Sequence, residues 1–490
     1  DDARLANRII RLLEPAKCHF SPMTSMQMLL KYEERLDSDV KEKLERYVRE
    51  SLNWMAEDRI HFTMYNDNFA AMAMFTLLTA GERFGDQAAF EAGRRKLAGL
   101  IDVFRRSGTI MEHGSPTYTP ITTHALAETA EYVADPETKR LALQCEERMW
   151  AEIALRFHAP TSTMAGPYSR AYLVDSVGHV HLIHALLYLA FGDAVFVNPV
   201  RNLFPPDDRQ VIHIAADTLM WPNVAWLVGT TCHCPADLAE LLLNRPYPFE
   251  AIATSEALPG SEYLYNDTET GSWIEYGAHR GPNVTYMTED YALGTSYSQF
   301  FDGAISDSFH LVYRRKEDAG SQADIRTVFS RYLFNERMPG ETNVYAGSRE
   351  HGPEMLRDEG RKHGIQHKDC ALVVYKPKPF EADNVTSMKL AILFPLHYGG
   401  VEQIWLGHRR ADAYPAESKE PVTVYVKDGP VFMAFRPLKL TDLGRSCAVR
   451  TAIRGKFLEI SFYNYEGESR SFDPKELLLV SSGFAVHVKQ

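Results

Sequence analysis

The densest run of reactive side chains is Gly108-Thr109-Ile110-Met111-Glu112-His113-Gly114-Ser115-Pro116-Thr117-Tyr118. It sets a carboxylate, an imidazole, a hydroxyl and a phenol just ahead of a helical pattern, and Pro116 favours a loop or the first turn of a helix. The plain structural alternative is a helix start capped by Ser115 or Thr117. A second segment, Tyr65-Asn66-Asp67-Asn68-Phe69, precedes an apolar helix, where Asn and Asp serve first of all as caps. A third is Ala165-Gly166-Pro167-Tyr168-Ser169-Arg170-Ala171-Tyr172. Its Gly-Pro marks a loop, Arg170 suits bidentate recognition of a carboxylate, and Tyr168 and Tyr172 offer faces to a sugar ring. Against that stands a surface turn with an Arg170–Asp175 pair. The chemistry these residue types point to is recognition of a carboxylate-bearing sugar beside groups able to move a proton. Glu112 and Asp67, lying in the same loops, are also the two carboxylic acids that a glycoside hydrolase would need.

Other clusters are weaker. His179, His181 and His184 lie on an apolar run, and positions 181 and 184 share a helical face. No Glu completes a zinc-protease pattern, so they read as satisfied core histidines. Cys232-His233-Cys234 is spaced too tightly for a tetrahedral zinc knuckle and has no second half. No phosphate loop, dinucleotide fingerprint or nucleophile elbow is present.

The chain that must position these groups has 490 residues, room for two to four domains or one large one. Its 53 Lys and Arg against 65 Asp and Glu leave a net charge of −12, which argues against a nucleic-acid binder. An anionic ligand remains compatible, because a local cationic cluster can sit on an acidic protein. The longest apolar stretch, Leu182 to Val197, is interrupted by His184, Gly192 and Asp193 and falls short of the roughly 20 residues a bilayer requires. No membrane association is therefore expected. The six cysteines are too sparse for a disulfide scaffold. The chain opens Asp1-Asp2-Ala3-Arg4 with no signal-peptide pattern, which reads as a mature or trimmed chain. Glycosylation sequons at Asn266, Asn283 and Asn384 go with a secreted or periplasmic location, although such matches also arise by chance.

Periodicity divides the chain in two. Residues 1–244 read as helical: Leu97, Leu100, Ile101 and Phe104 fall at i, i+3, i+4, i+7, and Leu126, Ala130 and Val133 follow the same pattern up to Asp135-Pro136. Further helices are expected to start near Asp2, Ser21, Asp37, Asp86, Asp135, Val177 and Asp207. The stretch from Phe69 to Ala80 is apolar all round, which places it in an interior, as part of an inner ring. Short connections predict stacked antiparallel helix pairs. A Pro-rich linker is expected at 245–262. Residues 263–490 then follow a period of two, with strands at Ser308–Tyr313, Ala371–Tyr375, Lys389–Phe394 and Phe457–Tyr463, and a hairpin about Asp428-Gly429-Pro430. Helices followed by strands indicate an α+β chain of two packed domains.

Together, Glu112-His113-Gly114-Ser115-Pro116-Thr117-Tyr118 and the helix opened by Asn68 resemble the heparinase II/III-like polysaccharide lyases. The first resembles their E-x-S-P-x-Y loop with one residue inserted between Glu and Ser. The second resembles their Asn-His segment, with Phe69 in place of His. The resemblance implies an (α/α) toroid or incomplete barrel followed by an antiparallel β-sandwich, acting on an anionic, uronate-containing polysaccharide or oligosaccharide by β-elimination. It implies Tyr118 as base and acid, Asn68 and Arg170 neutralising the uronate carboxylate, and His113 tuning the site. Glu112, Asn66, Tyr168 and Tyr172 would bind substrate. The β half should add a histidine to the cleft. His367, in a loop before a strand, is preferred over His310, which lies inside a strand pattern. Tyr286, Glu289, Asp290 and Tyr291 belong to a further loop, Thr285–Tyr297, expected to line the same cleft. No cofactor is required. A structural divalent metal, as some relatives hold in the β domain, would involve His363, His367 and Asp369.

The physics agrees with these roles. Elimination removes the weakly acidic proton alpha to a carboxylate, and hydrogen-bond donors must neutralise that carboxylate so the developing enolate is stabilised. A tyrosine, with an ordinary pKa of about 10, needs positive charge nearby to act as base, and can then return the proton as acid. The competing readings are a toroid glycoside hydrolase using Glu112 and Asp67, a uronyl epimerase sharing the proton abstraction, and a glycan-binding protein without turnover.

Overall fold

The computed structural model describes residues 2–63, 67–171, 181–197, 224–257, 265–267, 272–274, 279–298, 307–337, 360–377 and 382–490. The architecture is α+β, helical in the N-terminal part and rich in antiparallel sheet in the C-terminal part.

The described helices of the N-terminal part are α1 (Asp2–Leu12), α2 (Phe20–Lys31), α3 (Ser38–Met55), α4 (Asp67–Phe84), α5 (Gln87–Ser107), α6 (Thr119–Tyr132), α7 (Pro136–Arg156), α8 (Leu182–Phe191) and α9 (Ala236–Asn244). Their starts follow local chemistry. Asp86 and Asp135 accept the amides of Ala89 and Thr138 as N-caps, and Gly108 ends α5 with φ 81°. Helices starting near Val177 and Asp207 would lie outside the described residues. Neighbours in sequence pack as pairs, α2 on α3, α4 on α5 and α6 on α7, while α2, α4, α6 and α8 touch in succession. α4 is buried on nearly every side, as its uniformly apolar sequence requires, and so is α6.

The C-terminal part contains two large sheets. The strands are β1 (Phe249–Ala257), β2 (His279–Met287), β3 (Tyr291–Ser296), β4 (Phe309–Arg314), β5 (Ile325–Phe334), β6 (Gly360–His367), β7 (Cys370–Pro377), β8 (Ala382–Pro395), β9 (Gln403–Leu406), β10 (Arg409–Arg410), β11 (Ala416–Ser418), β12 (Val424–Asp428), β13 (Val431–Pro437), β14 (Val449–Arg454), β15 (Phe457–Phe472) and β16 (Ser482–Lys489). One sheet has the order β11-β14-β15-β8-β5-β4-β3-β2-β1 and the other β6-β7-β16-β13-β12-β9-β10, with antiparallel neighbours throughout. Their inner faces share one core, with Phe309, Leu311 and Val328 from the first against Val373, Phe435 and Phe484 from the second.

Two sequence expectations shift here. β1 begins inside the stretch read as linker and pairs with β2 at the sheet edge. Its alternation was masked by the prolines that precede it, and its exposed Ile252 fits an edge position. Thr285–Tyr297, read as a loop, is a hairpin of β2 and β3. Asn283, one of the sequons, is buried and donates to Ser255 Oγ at 3.0 Å, so a glycan cannot be attached to it in this fold.

Candidate functional site

Three chain segments meet at the N-termini of α4 and α6. The Glu112 carboxylate is fully buried. Its Oε2 accepts the backbone N–H of Asn68 at 3.0 Å and the side-chain amide of Asn68 at 2.6 Å. Its Oε1 accepts Arg170 Nη1 at 2.6 Å. Asp67 is equally buried, and its Oδ2 accepts the backbone N–H of Glu112 at 2.9 Å. Burial, and then the Glu112 carboxylate beside it, push the Asp67 carboxyl well above the usual carboxylate range. One guanidinium thus stands near two buried carboxyl groups.

Arg170 also reaches the opposite way. Its Nη2 donates to the Tyr118 hydroxyl at 3.0 Å, and its guanidinium carbon lies 4.1 Å from the centre of the Tyr118 ring. Ser115 sets this approach: its Oγ donates to the carbonyl of Arg170 at 2.5 Å and accepts the N–H of Tyr118 at 2.8 Å. The Ser115 carbonyl accepts the N–H of Thr119, beginning α6, so the capping and site-building roles fall on one residue. The Ser169 N–H donates to the His113 carbonyl at 3.1 Å, closing the loop pair.

Tyr118 lines a chamber of about 930 Å³. Its wall comes from α1, α2, α3, the start of α6, His181 and Leu182, and a helical turn at 224–228. Asn68, Glu112 and Asp67 stand fully buried behind Tyr118, with Arg170 8% exposed. His113 is buried beneath the loop, its Nδ1 3.1 Å from the Met111 carbonyl. His181 and His184 cap α8 with each other's backbone, and His181 also lines the chamber; His179 lies outside the described residues, as do Asn66 and Tyr172.

The remaining expected contacts fall elsewhere. Tyr168 faces the β half: its hydroxyl donates to the Met164 carbonyl at 2.6 Å, and its backbone pairs with Asp307. Tyr291 is not at a cleft. It sits in the core between the sheets with its hydroxyl donating to the Val488 carbonyl at 3.0 Å, because strand alternation turns it inward. His367 ends β6 and lines a separate groove of about 510 Å³ on the second sheet, together with Cys370 and His487. Among the described residues, a β-half histidine that does approach the helical part is His310, whose ring lies 4.4 Å from that of Tyr168. A strand position disfavours it in the sequence, yet that strand meets the 166–170 loop, as β2 and β3 do. The sequence signal was Asp307 at the same strand's start. Asp307 is fully buried and accepts Lys362 Nζ at 2.7 Å and Arg331 Nη1 at 3.0 Å.

His363, His367 and Asp369 do not converge as one ligand set. His363 Nδ1 lies 3.2 Å from the Tyr297 carbonyl, and among the described residues the group whose potential ligand atoms all lie within 4.8 Å is Asp369, Cys370 and His487. Lys489 Nζ lies 3.6 Å from the same Asp369 carboxylate. In the Cys232-His233-Cys234 segment the imidazole bridges two carboxylates, Glu146 at 2.7 Å and Glu131 at 2.8 Å.

A family model described as a domain of unknown function, DUF8769, matches residues 4–227, slightly less than half of the chain and confined to its helical part. No curated protein matches. Among solved structures, one described as the crystal structure of HI1317 aligns with 43% of this chain and 93% of its own, at 11% identity and a TM-score of 0.16. A likeness that slight bears on neither fold nor function. Among the described residues, no helix is long and apolar enough to cross a membrane.

Proposed function

We propose that this chain is a polysaccharide lyase that cleaves a uronate-containing glycan by β-elimination, with Tyr118 moving the proton. The observation that carries the reading is the Arg170 guanidinium, held against both the hydroxyl and the ring of Tyr118 at a chamber wall. A fixed cation donating to the phenol oxygen stabilises the charge left when the proton departs, and a buried donor does so with little reorganisation. The neutral phenol formed by abstraction then stands ready to protonate the leaving oxygen.

In this reading the roles within the cluster divide. Arg170 serves Tyr118 on one side and Glu112 on the other. Asn68 spends its amide on Glu112 and acts as a positioning residue for it, rather than as a direct clamp on the substrate carboxylate. His113 holds the backbone of the arginine loop. The reading also takes the helical part as an (α/α) toroid and the paired sheets as its β-sandwich, with the succession α2, α4, α6, α8 in support. A secreted or periplasmic location accompanies it.

The hydrolase alternative is less well supported. Its two acids must flank a glycosidic bond, roughly 5–10 Å apart. Asp67 instead accepts the backbone N–H of Glu112, and both are sealed from solvent. An epimerase would share the abstraction but leave the chain length intact. The deciding experiment is a panel of uronate polymers followed by ultraviolet absorbance, because elimination creates a conjugated double bond. Absorbance that grows together with chain shortening supports the lyase. Chain shortening without absorbance supports the hydrolase and overturns the proposal, and so does solvent-deuterium incorporation without shortening.

A further inference from the structure

The hairpin between β6 and β7 sets three ligand-type side chains at one end of the second sheet. His367 and Cys370 are register partners, so Lys368 and Asp369 form a two-residue turn, with Lys368 at φ 53°. Cys370 is also the register partner of His487 on β16, and the Asp369 carbonyl accepts the N–H of Val488 at 3.0 Å. Direct partners on neighbouring strands project to one face, with Cβ atoms about 4.5–5.5 Å apart. The thiol and the imidazole therefore stand side by side on the outer face, lining the groove of about 510 Å³, and the turn brings the carboxylate to both.

The plain alternative is a hydrogen-bonded trio. Asp369 Oδ2 lies 3.4 Å from His487 Nε2, long for a charged nitrogen on a carboxylate, where about 2.7–2.9 Å is usual. Asp369 Oδ1 lies 3.5 Å from Cys370 Sγ. Both distances match ligand spacings around a tetrahedral zinc ion. Bonds of about 2.0 Å to oxygen and nitrogen and about 2.3 Å to sulfur place oxygen about 3.3 Å from nitrogen and about 3.5 Å from sulfur. One oxygen of the same carboxylate faces each partner, and all three potential ligand atoms lie within 4.8 Å of one another. A mixed sulfur, nitrogen and oxygen set suits zinc, whereas calcium and magnesium take oxygen alone. Lys489 is the competitor: its Nζ lies 3.6 Å from Asp369 Oδ2, but its side chain is 62% exposed and free to withdraw into water.

We infer that Asp369, Cys370 and His487 bind one zinc ion, with water in the fourth position. The ion fastens the β6–β7 turn to the last strand, β16. This site takes no part in the chemistry assigned to Tyr118, so it stands or falls independently of the lyase reading.

The test uses the full chain, reduced and freed of metal by a chelator, then titrated with Co²⁺. Cobalt adopts the geometry of zinc and reports thiolate coordination by an ultraviolet charge-transfer band. One ion per chain should bind, Zn²⁺ should displace it, and zinc should raise the melting temperature. Cys370 and His487 are exposed, so their variants should fold, as circular dichroism would show. Cys370→Ser should abolish the band. His487→Ala should weaken binding by more than the roughly tenfold lost when a mere supporting partner of a metal ligand is removed. Lys489→Gln should tighten binding several-fold by removing a competing charge. No band in the parent would overturn the inference. So would a band that survives in Cys370→Ser, which places the metal at another thiol such as Cys232, or unaltered affinity in His487→Ala or Lys489→Gln.

Discussion

Glu112 Oε2 accepts both nitrogens of Asn68, the backbone N–H at 3.0 Å and the side-chain amide at 2.6 Å, so the first turn of α4 is built around a carboxylate from another loop. That carboxylate is also the partner of Arg170. Glu112→Gln would therefore leave a buried guanidinium without its counter-charge and place an amide against donors. The expected loss is about 3–5 kcal/mol, the usual result of removing one member of a buried pair. Chemical denaturation measures it directly. A double-mutant cycle with Arg170→Met should show strong coupling, and additive effects would contradict the pairing.

Asp67 gives that cluster a pH dependence of definite sign. Its carboxyl is raised well above the ordinary value of 3.8, by burial first and by Glu112 second. Above that ordinary value the folded state binds the proton more firmly than the unfolded state does. This contribution to stability is therefore largest at low pH and declines as pH rises toward the folded value. Asp67→Asn keeps the shape and removes the titration. The difference in melting temperature between variant and parent should grow in the variant's favour as pH rises above the ordinary carboxylate value. A constant difference over that rise would contradict it.

The His233 bridge predicts a change in the neutral range. Burial opposes protonation of His233, but hydrogen bonds and charge from Glu146 and Glu131 outweigh it and raise the imidazole above 6.5. Glu128 on α6 and Asp237 on α9 add negative charge near the flanking cysteines. A raised folded value gives stabilisation that is complete below the ordinary value and is lost as pH rises through the folded one. The segment so held continues from the chamber wall at Trp226 and Gly229. Unfolding of the parent should become easier on passing to mildly alkaline pH, and His233→Gln should flatten that dependence. An unchanged profile in the variant would rule out the bridge as its source.

The contact between the two parts of the chain leaves no slack at Gly294. A Cβ there would lie 1.9 Å from the Gly166 carbonyl oxygen, which also accepts Thr285 Oγ1 at 2.7 Å. Gly294→Ala must displace the loop that carries Arg170, and overpacking of this kind typically costs about 1–3 kcal/mol. The variant should melt earlier and lose activity together. An unchanged melting temperature would mean that the two parts meet differently.

Much of the frame was legible in the residues. The all-round apolar stretch after Asn68 could only be an interior helix, and Asp428-Gly429-Pro430 marked a hairpin that joins β12 to β13. The concentration of Glu112, Ser115 and Tyr118 was visible as well. What could not be read was which group each donor would satisfy. Arg170 and Asn68 were assigned to a ligand's carboxylate, yet both hold Glu112, a pairing across 58 and 44 positions that no local pattern encodes. Loop position favours His367 in the sequence and strand position disfavours His310, whereas sheet order decides which strands meet the helices. The polar neighbours of Tyr291 conceal the alternation of a short inner strand and give the sequence there the look of a loop.

The most direct test of the proposed chemistry is the rate at which Tyr118→Phe forms unsaturated product from a polymer cleaved by the parent chain. The variant keeps the ring beneath Arg170 and removes only the oxygen that accepts Nη2. Folding and binding of oligosaccharide, followed by circular dichroism and calorimetry, should therefore persist. The rate of double-bond formation should fall by about 10²–10⁴-fold, the loss typical of a general acid–base group. A folded, binding-competent Tyr118→Phe chain that forms product at near the parent rate would contradict proton transfer by Tyr118.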